Sequence, residues 1–293
     1  MNDWTISGKT SVCGVIGDPI EHTMSPAMHN AAFRQLELDY IYVAFRVTPA
    51  QLGKAIAGMK ALNIRGLNVT IPHKVNVIPF LDRLDPLAEK IGAVNTIVNE
   101  DGALTGYNTD ASGFLQALKE GGGERGEPKG KKILLLGAGG AARAIAFIIA
   151  AEGGYLTILN RKEELPWAED IARNIGTAYH MPVGVGELTR EKIERVIPDT
   201  DILVNATSVG MTPGANESPF PADLLCASLL VFDIVYNPLE TRLLREAKTA
   251  GARTISGLEM LIWQGVLAFE KWTGQHAPVD LMRQTAQKIL KKG

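Results

Sequence analysis

The chain has 293 residues, enough for one large domain or two ordinary ones at roughly 150 residues each, and enough to bury a core without disulfides or structural metals. Apolar residues make up 46% and charged residues 21%, with a formal net charge of -2; this excludes a disordered chain, a basic stripe for nucleic acid and an acidic tail for a basic partner. Cys13 and Cys226 each lie in an apolar run and read as buried, reduced thiols. Met1 to Thr10 carries no apolar secretion signal, and the most apolar stretch, Ile133 to Ala151, is broken by Arg143 and a glycine cluster. No membrane span is read, and a reducing cytoplasm is the expected compartment.

Apolar β-branched runs alternate with helical-period runs, which points to an α/β fold with largely parallel sheets. Strands are expected at Val12 to Ile16, Tyr40 to Val47, Gly66 to Val69 and Val94 to Val98, with helices at Pro26 to Leu36 and Pro49 to Ala61. Ser25 is expected to cap the first of these helices, with Pro26 at its first position. Asp101-Gly102 signals a tight hairpin turn. Gly121 to Lys132 (GGGERGEPKGKK) has no apolar residue and reads as a surface connection into a second domain. There the sequence predicts strand Ile133 to Leu136, helix Ala141 to Ala151 and strand Tyr155 to Leu159, then strands at Ile202 to Asn205 and Leu229 to Val235. No fixed-period repeat and no low-complexity segment is found.

The segment ILLLGAGGAARA (133–144) carries the first chemistry. A buried strand ends at Gly137 and a helix opens after Gly140. Glycines at 137 and 139 let the backbone turn tightly and approach a pyrophosphate, which the helix N-terminus attracts with free N–H groups and partial positive charge. Ala142 stands where the fingerprint often has a third glycine. A lone glycine pattern says little, but one set between a strand and a helix marks a dinucleotide site. The next strand ends at Asn160-Arg161-Lys162, where an NAD-binding unit places a carboxylate on the ribose 2′-hydroxyl. Two cations there favour a 2′-phosphate and hence NADP. Glu163 and Glu164 leave NAD open as well: either could accept from ribose hydroxyls or repel the phosphate. The bland alternative for Arg161 and Lys162 is a solvated helix start.

Three segments of the first domain are unusually polar for strand ends: HTMSPAMHN (22–30), NVTIPHK (68–74) and the stretch from Gly92 to Asp110. Ligands of open α/β sheets bind outside the carboxyl ends of the strands. Asn68, Thr70, Asn95 and Asp110 lie at or just beyond such ends, where they can meet a polyhydroxylated ligand. Hydride transfer at an alcohol carbon also needs a proton relay at the oxygen, and Lys74 with Asp110 is the best pair for it. A surface lysine and a helix N-cap are the bland readings of the two. His73 is the competing base, but adjacent residues do not share a helical face, so only one of His73 and Lys74 is expected to point inward. Gln264, in line with Leu261 and Ala268 on an apolar helix, needs a partner for its amide, either a ligand hydroxyl or a core group.

At this point the chain resembles the shikimate dehydrogenase family. The stretches GVIGDPIEHTMSPAMHNAAF, GLNVTIPHK, GAVNTIV, GYNTDASGF, LLGAGGAARA, NATSVGM, FDIVYNP and GLEMLIWQGVLAFEKWTG occur in the family's order and span nearly the whole chain. The resemblance implies reversible NADPH-dependent reduction of 3-dehydroshikimate to shikimate, in aromatic amino acid biosynthesis. It implies catalysis by Lys74 and Asp110, and substrate binding by Thr23, Ser25, Asn68, Thr70, Asn95 and Gln264, with Tyr236 at the domain cleft. Gly137, Ala138, Gly139, Gly140 and Ala141 match the phosphate loop, and Asn160, Arg161 and Lys162 the 2′-phosphate region. Thr207, Gly210 and Met211 match the segment near the nicotinamide, and Gly257 begins a matching cleft segment. The family's C-terminal helices return to the first domain, which gives a substrate domain of residues 1–112 completed by 256–293 and a Rossmann-like NADP-binding domain of residues 113–255. A monomer or homodimer acting on a small molecule is expected, with no nucleic acid, membrane or metal.

Three departures bear on specificity. Thr23 stands where serine is usual, and its methyl crowds the substrate carboxylate region. Ala111 follows Asp110 where glycine is common. Lys162 and Glu163 replace neutral residues, as in relatives that accept both cofactors and act on quinate. A quinate/shikimate dehydrogenase using NAD or NADP is therefore the alternative enzyme. A catalytically silent ligand sensor is the alternative of another class, disfavoured by an intact Lys74 and Asp110.

Overall fold

The structure, a computed structural model, describes residues 5–291. The chain divides into two compact units, one of Met1–Thr109 with Ile262–Gly293, the other of Asp110–Leu261. Each is built on its own six-stranded sheet.

The strands of the first unit are β1 (Ser11–Gly17), β2 (Tyr40–Arg46), β3 (Gly66–Val69), β4 (Arg83–Leu84), β5 (Thr96–Glu100) and β6 (Ala103–Tyr107), in the order β2-β1-β3-β5-β6-β4. Its first helices are α1 (Ser25–Gln35), α2 (Leu52–Ala61) and α3 (Pro86–Ile91). β2 and β3 both run parallel to β1, whereas β5 pairs antiparallel with β3 and β6. The reversal between β5 and β6 comes from Asp101 and Gly102, whose φ angles of 52° and 88° make the tight turn that an Asp-Gly pair favours. β3 is buried along its length, and Ile16, Leu67, Val69, Val94 and Ile97 close a core with Leu52, Ile56 and Met59 of α2. That core holds the strand ends in place.

Ser25 does not cap α1. The capping position is Met24, and Ser25 already lies inside the helix with its N–H donating to Thr23 Oγ1 at 3.3 Å. Pro26 sets the second helical position and leaves Ser25 the first, so the turn closes one residue earlier than the sequence indicates. A helix α4 (Thr109–Gly122) runs from one unit into the other. It takes up Gly121 and Gly122, and a 3₁₀ turn follows at Gly123–Gly126. A Cβ on Gly126 would sit 2.0 Å from Leu118 O. The glycine-rich stretch is thus partly a tightly packed helix end and not wholly a surface connection.

The second unit contains β7 (Lys132–Leu136), α5 (Gly140–Ala151), β8 (Tyr155–Asn160), α6 (Leu165–Tyr179), β9 (Gly184–Glu187), α7 (Arg190–Val196), β10 (Ile202–Asn205), β11 (Leu230–Asp233), α8 (Arg242–Thr249) and β12 (Arg253–Ser256). All pairings are parallel, in the order β12-β11-β10-β7-β8-β9. The chain steps one way from β7 and then the other, so a switch point lies between β7 and β10, as in doubly wound nucleotide-binding sheets. β10 and β11 are buried throughout, as a sheet covered on both faces requires. Cys13 is buried on β1, but Cys226 is exposed. It lies ahead of β11 between Leu225 and Leu229, which enter the core and turn the thiol outward.

The chain ends in α9 (Gly257–Thr273), which crosses the boundary at Leu261, and α10 (Val279–Leu290). In the first unit, Trp272 of α9 is fully buried and its indole N–H donates to Ile97 O at 3.0 Å. A Cβ on Gly66 would lie 2.0 Å from Trp272 Nε1, so only glycine fits on β3 beneath this ring. Among the described residues, no helix is long and apolar enough to cross a membrane.

Candidate active site

In the first unit the chain leaves β1 in one direction for β2 and returns on the other side with β3, so the carboxyl ends of β1 and β3 form a switch point. Thr23 and Ser25 follow β1, and their hydroxyls are 3.3 Å apart, with Thr23 donating. Asn68 lies on β3, 6% exposed, and Thr70 just past its end, half-buried. Asn95 reaches the same place because Val69 N donates to Asn95 O at 2.8 Å.

A continuous buried network joins these residues. The Tyr42 hydroxyl donates to Asn68 Oδ1 at 2.6 Å, and Asn68 Nδ2 donates to Thr96 Oγ1 at 3.1 Å. Thr96 and Thr109 hydroxyls are paired at 2.9 Å, and Asn95 Oδ1 accepts from Thr109 N at 2.6 Å. Buried polar groups held this way form a rigid platform, since each one pays a desolvation cost unless bonded. The network ends at Thr109, next in the chain to Asp110.

Lys74 is half-buried, and its backbone carbonyl accepts from Val94 N at 2.8 Å, which fixes the turn after β3 against the segment before β5. His73 is fully buried, and its Nε2–H donates to Val47 O at 2.6 Å. That bond and the burial turn His73 into the core and leave Lys74 as the outward member of the pair. α4 opens at Thr109, so the buried Asp110 lies within the first helical turn, where the helix dipole favours a carboxylate, and not at the cap. Gln264 on α9 is 9% exposed. Among the described residues, no cluster of three His, Cys, Asp or Glu side chains is placed to hold a metal.

In the second unit the carboxyl end of β7 carries the phosphate loop. Gly137 has φ 99°, and a Cβ there would sit 3.0 Å from Ala206 O, just past the end of the strand across the switch point. Gly139 caps α5, and a Cβ on Gly139 or Gly140 would meet nothing within 4 Å. Ala138 is buried, Ala141 half-buried, and the first turn of α5 has no acidic residue. An open face over exposed backbone at the start of a helix is what a pyrophosphate needs. Asn160 is buried at the end of β8, with Nδ2 donating to Glu164 O at 2.9 Å. Arg161 and Lys162 are exposed beyond it, and the Arg161 guanidinium pairs with Glu164. Of the two acidic neighbours, Glu164 is therefore the one paired with Arg161. Gly210 is buried with φ 92°, while Met211 and Tyr236 are exposed. A Cβ on Gly257 would lie 2.1 Å from Ile234 O, so close backbone packing requires this glycine whatever else it does.

One group escaped the sequence reading. Asp233, at the end of β11, is fully buried and accepts from Asn205 Nδ2 at 2.8 Å, Thr241 Oγ1 at 2.6 Å and Val235 N at 3.1 Å. Burial pushes its carboxyl up to about 6 against the pull of those three donors. Asn205 in turn accepts from Thr207 N and Thr207 Oγ1 through Oδ1. The carboxylate thus organises the loop holding Thr207 and Gly210. The signal was present as polar residues closing the apolar runs ILVN and LVFD.

The model of the shikimate dehydrogenase substrate binding domain matches residues 15–97, and that of the shikimate 5'-dehydrogenase C-terminal domain matches residues 257–287. A shikimate dehydrogenase (NADP(+)) of Desulforamulus reducens is 49% identical, over 100% of both chains. This chain belongs to the shikimate dehydrogenase family. A shikimate dehydrogenase solved in complex with NADP+ shares its fold with a TM-score of 0.91 at 44% identity, over 98% of each chain. The shikimate dehydrogenase of Listeria monocytogenes, solved with shikimate and NAD, gives 0.91 at 43% identity, over 95% of this chain and 97% of that one. A quinate dehydrogenase from Corynebacterium glutamicum gives 0.87 at 32% identity, over 95% of this chain and 99% of that one. The expected α/β fold and shikimate dehydrogenase membership are thereby borne out.

Proposed function

We propose that this chain is an NADP-dependent shikimate dehydrogenase, catalysing the reversible reduction of 3-dehydroshikimate to shikimate in aromatic amino acid biosynthesis. The observation that carries this is the full-length 49% identity to an NADP-dependent relative, in a chain that keeps both the open phosphate loop and the bonded amide–hydroxyl platform. The residues divide into three groups. Thr23, Ser25, Asn68, Thr70, Asn95, Tyr236 and Gln264 hold the carboxylate and ring hydroxyls of the substrate. Gly137, Ala138, Gly139, Gly140 and Ala141 receive the pyrophosphate, and Asn160, Arg161 and Lys162 the 2′-phosphate. Thr207, Gly210, Met211 and Gly257 border the nicotinamide. Bound there, the cofactor would supply the redox chemistry, NADP+ as hydride acceptor for the carbinol carbon and NADPH as hydride donor in the reverse direction.

Lys74 and Asp110 serve the proton. In the reductive direction the Lys74 ammonium donates its proton to the oxygen that becomes the new hydroxyl, and in the oxidative direction the amine takes it back. Asp110 is the carboxylate partner in this relay. General acid–base catalysis of this kind is worth roughly 10²–10⁴-fold in rate.

The substrate domain is taken as residues 1–112 with 256–293, and the cofactor domain as 113–255. The enzyme works in the cytoplasm as a monomer or homodimer, with a small molecule as its partner and none in nucleic acid or membrane. Thr23 favours a second reading, a quinate/shikimate dehydrogenase: its hydroxyl lies 3.3 Å from that of Ser25, and it brings to that place a methyl group that serine lacks. Initial rates with shikimate and quinate, each with NADP and NAD, decide between them. The highest kcat/KM is expected for shikimate with NADP. A higher value for quinate with NAD would establish the second reading, and binding of either acid without turnover would make the chain a sensor.

A further inference from the structure

Tyr42 lies on the edge strand β2, two strands away from Asn68, yet it is 1% exposed and its hydroxyl is bonded to the Asn68 side chain. Its ring has little freedom. The His29 ring stacks on it with centroids 4.4 Å apart and planes 10° from parallel, and the Trp272 ring stands 5.8 Å away. Asn30 clamps the Tyr42 backbone from both sides, accepting from its N–H at 2.9 Å and donating to its carbonyl at 2.8 Å. Three residues thus fix where the phenol oxygen sits.

The phenol in turn decides what Asn68 can offer. Asn68 Nδ2 lies 3.3 Å from Asn95 O and 3.1 Å from Thr96 Oγ1. A backbone carbonyl only accepts, so the amide nitrogen must face it and the amide oxygen must face Tyr42, which donates. Both protons of Nδ2 then have acceptors inside the protein. Oδ1 has two lone pairs and spends one on the phenol. What remains for a ligand is a single acceptor, suited to a hydroxyl proton.

We propose that Tyr42 is a positioning residue for substrate recognition: it holds the Asn68 amide so that its oxygen accepts from a substrate hydroxyl. This rests on the reading of Asn68 as a substrate-binding residue. Tyr42 touches neither substrate nor cofactor and acts through its neighbours alone.

Tyr42→Phe keeps the ring stacking and removes the hydroxyl. Initial rates of shikimate oxidation should show KM for shikimate raised roughly fivefold, the loss of about one buried hydrogen bond, with kcat and KM for NADP within about twofold of wild type. A packing role alone would not move one KM and leave the other. Asn68→Ala and the double variant complete a cycle: on the Asn68→Ala background, Tyr42→Phe should add less than about twofold to KM for shikimate, because the amide it orients is gone. An unchanged KM for shikimate in Tyr42→Phe, or effects that simply multiply in the double variant, would overturn the proposal while leaving the enzyme reading intact. A Tyr42→Phe chain that fails to fold would also overturn it, since the phenol would then serve the core. Absence of shikimate turnover in the wild-type chain would remove both readings together.

Discussion

Arg161→Ala tests how the chain chooses its cofactor, and the structure sets the size of the effect. Arg161 follows the end of β8 with its side chain 71% exposed, and it is paired with Glu164, itself 25% exposed. An exposed pair of this kind is worth about 0.2–1 kcal/mol. Bonds from the guanidinium to a phosphate are worth about 1.5–3 kcal/mol, but the arginine must first leave Glu164. The net contribution to NADP is therefore about 1–2 kcal/mol, a rise in KM for NADP of roughly 5- to 30-fold on removal of the side chain. NAD has no 2′-phosphate, so its KM should stay within about twofold. Initial rates of shikimate oxidation at saturating shikimate, titrated with each cofactor, read both values. An equal rise for both, or none for NADP, would show that Arg161 does not recognise the phosphate and that its pairing with Glu164 is all it does.

Two further outcomes follow from buried groups. Asp233 holds its proton up to about pH 6 in the folded chain, against 3.8 as its ordinary value. The folded state therefore gains most from this group below pH 3.8 and loses that gain as pH rises through 6, by up to about 3 kcal/mol. The wild-type stability advantage over Asp233→Asn, from urea midpoints, should thus be larger at pH 4 than at pH 7.5, and an equal advantage at both would contradict the burial of an ionising carboxyl. Gly66→Ala would drive a Cβ to within 2.0 Å of the Trp272 indole nitrogen, which donates to Ile97 O. Overpacking and loss of that bond should cost at least about 2 kcal/mol in chemical denaturation, whereas Gly58→Ala, where a Cβ meets nothing within 4 Å, should not destabilise.

Much of the frame is written in local pattern. Gly66–Val69 and Ile202–Asn205 are short apolar runs closed by polar residues, and both appear as strands with the same bounds. The Asp-Gly turn and the glycine loop before α5 are fixed by backbone conformations that few other residues adopt. The misses arise where the outcome depends on residues distant in sequence. Ser25 has the right chemistry for a cap, yet the turn from Thr23 draws it into the helix. Cys226 sits in an apolar run, but its neighbours Leu225 and Leu229 take the inward positions. His73 could not be separated from Lys74 by sequence, because the carbonyl that claims its ring belongs to Val47, in the segment after β2. Tyr42 and Asn68 are 26 residues apart, and no periodicity connects them. Polar residues at strand ends are therefore legible in the sequence, whereas the partners that hold them come from distant positions.

The most direct test of the account is Lys74→Ala, assayed for shikimate oxidation with NADP alongside a direct binding measurement for shikimate. A proton relay acts in the transition state, so kcat should fall by roughly 10²–10⁴-fold while the dissociation constant for shikimate stays within a few-fold. A kcat left near the wild-type value would contradict the assignment of the proton to Lys74, and with it the proposed division of roles in the active site.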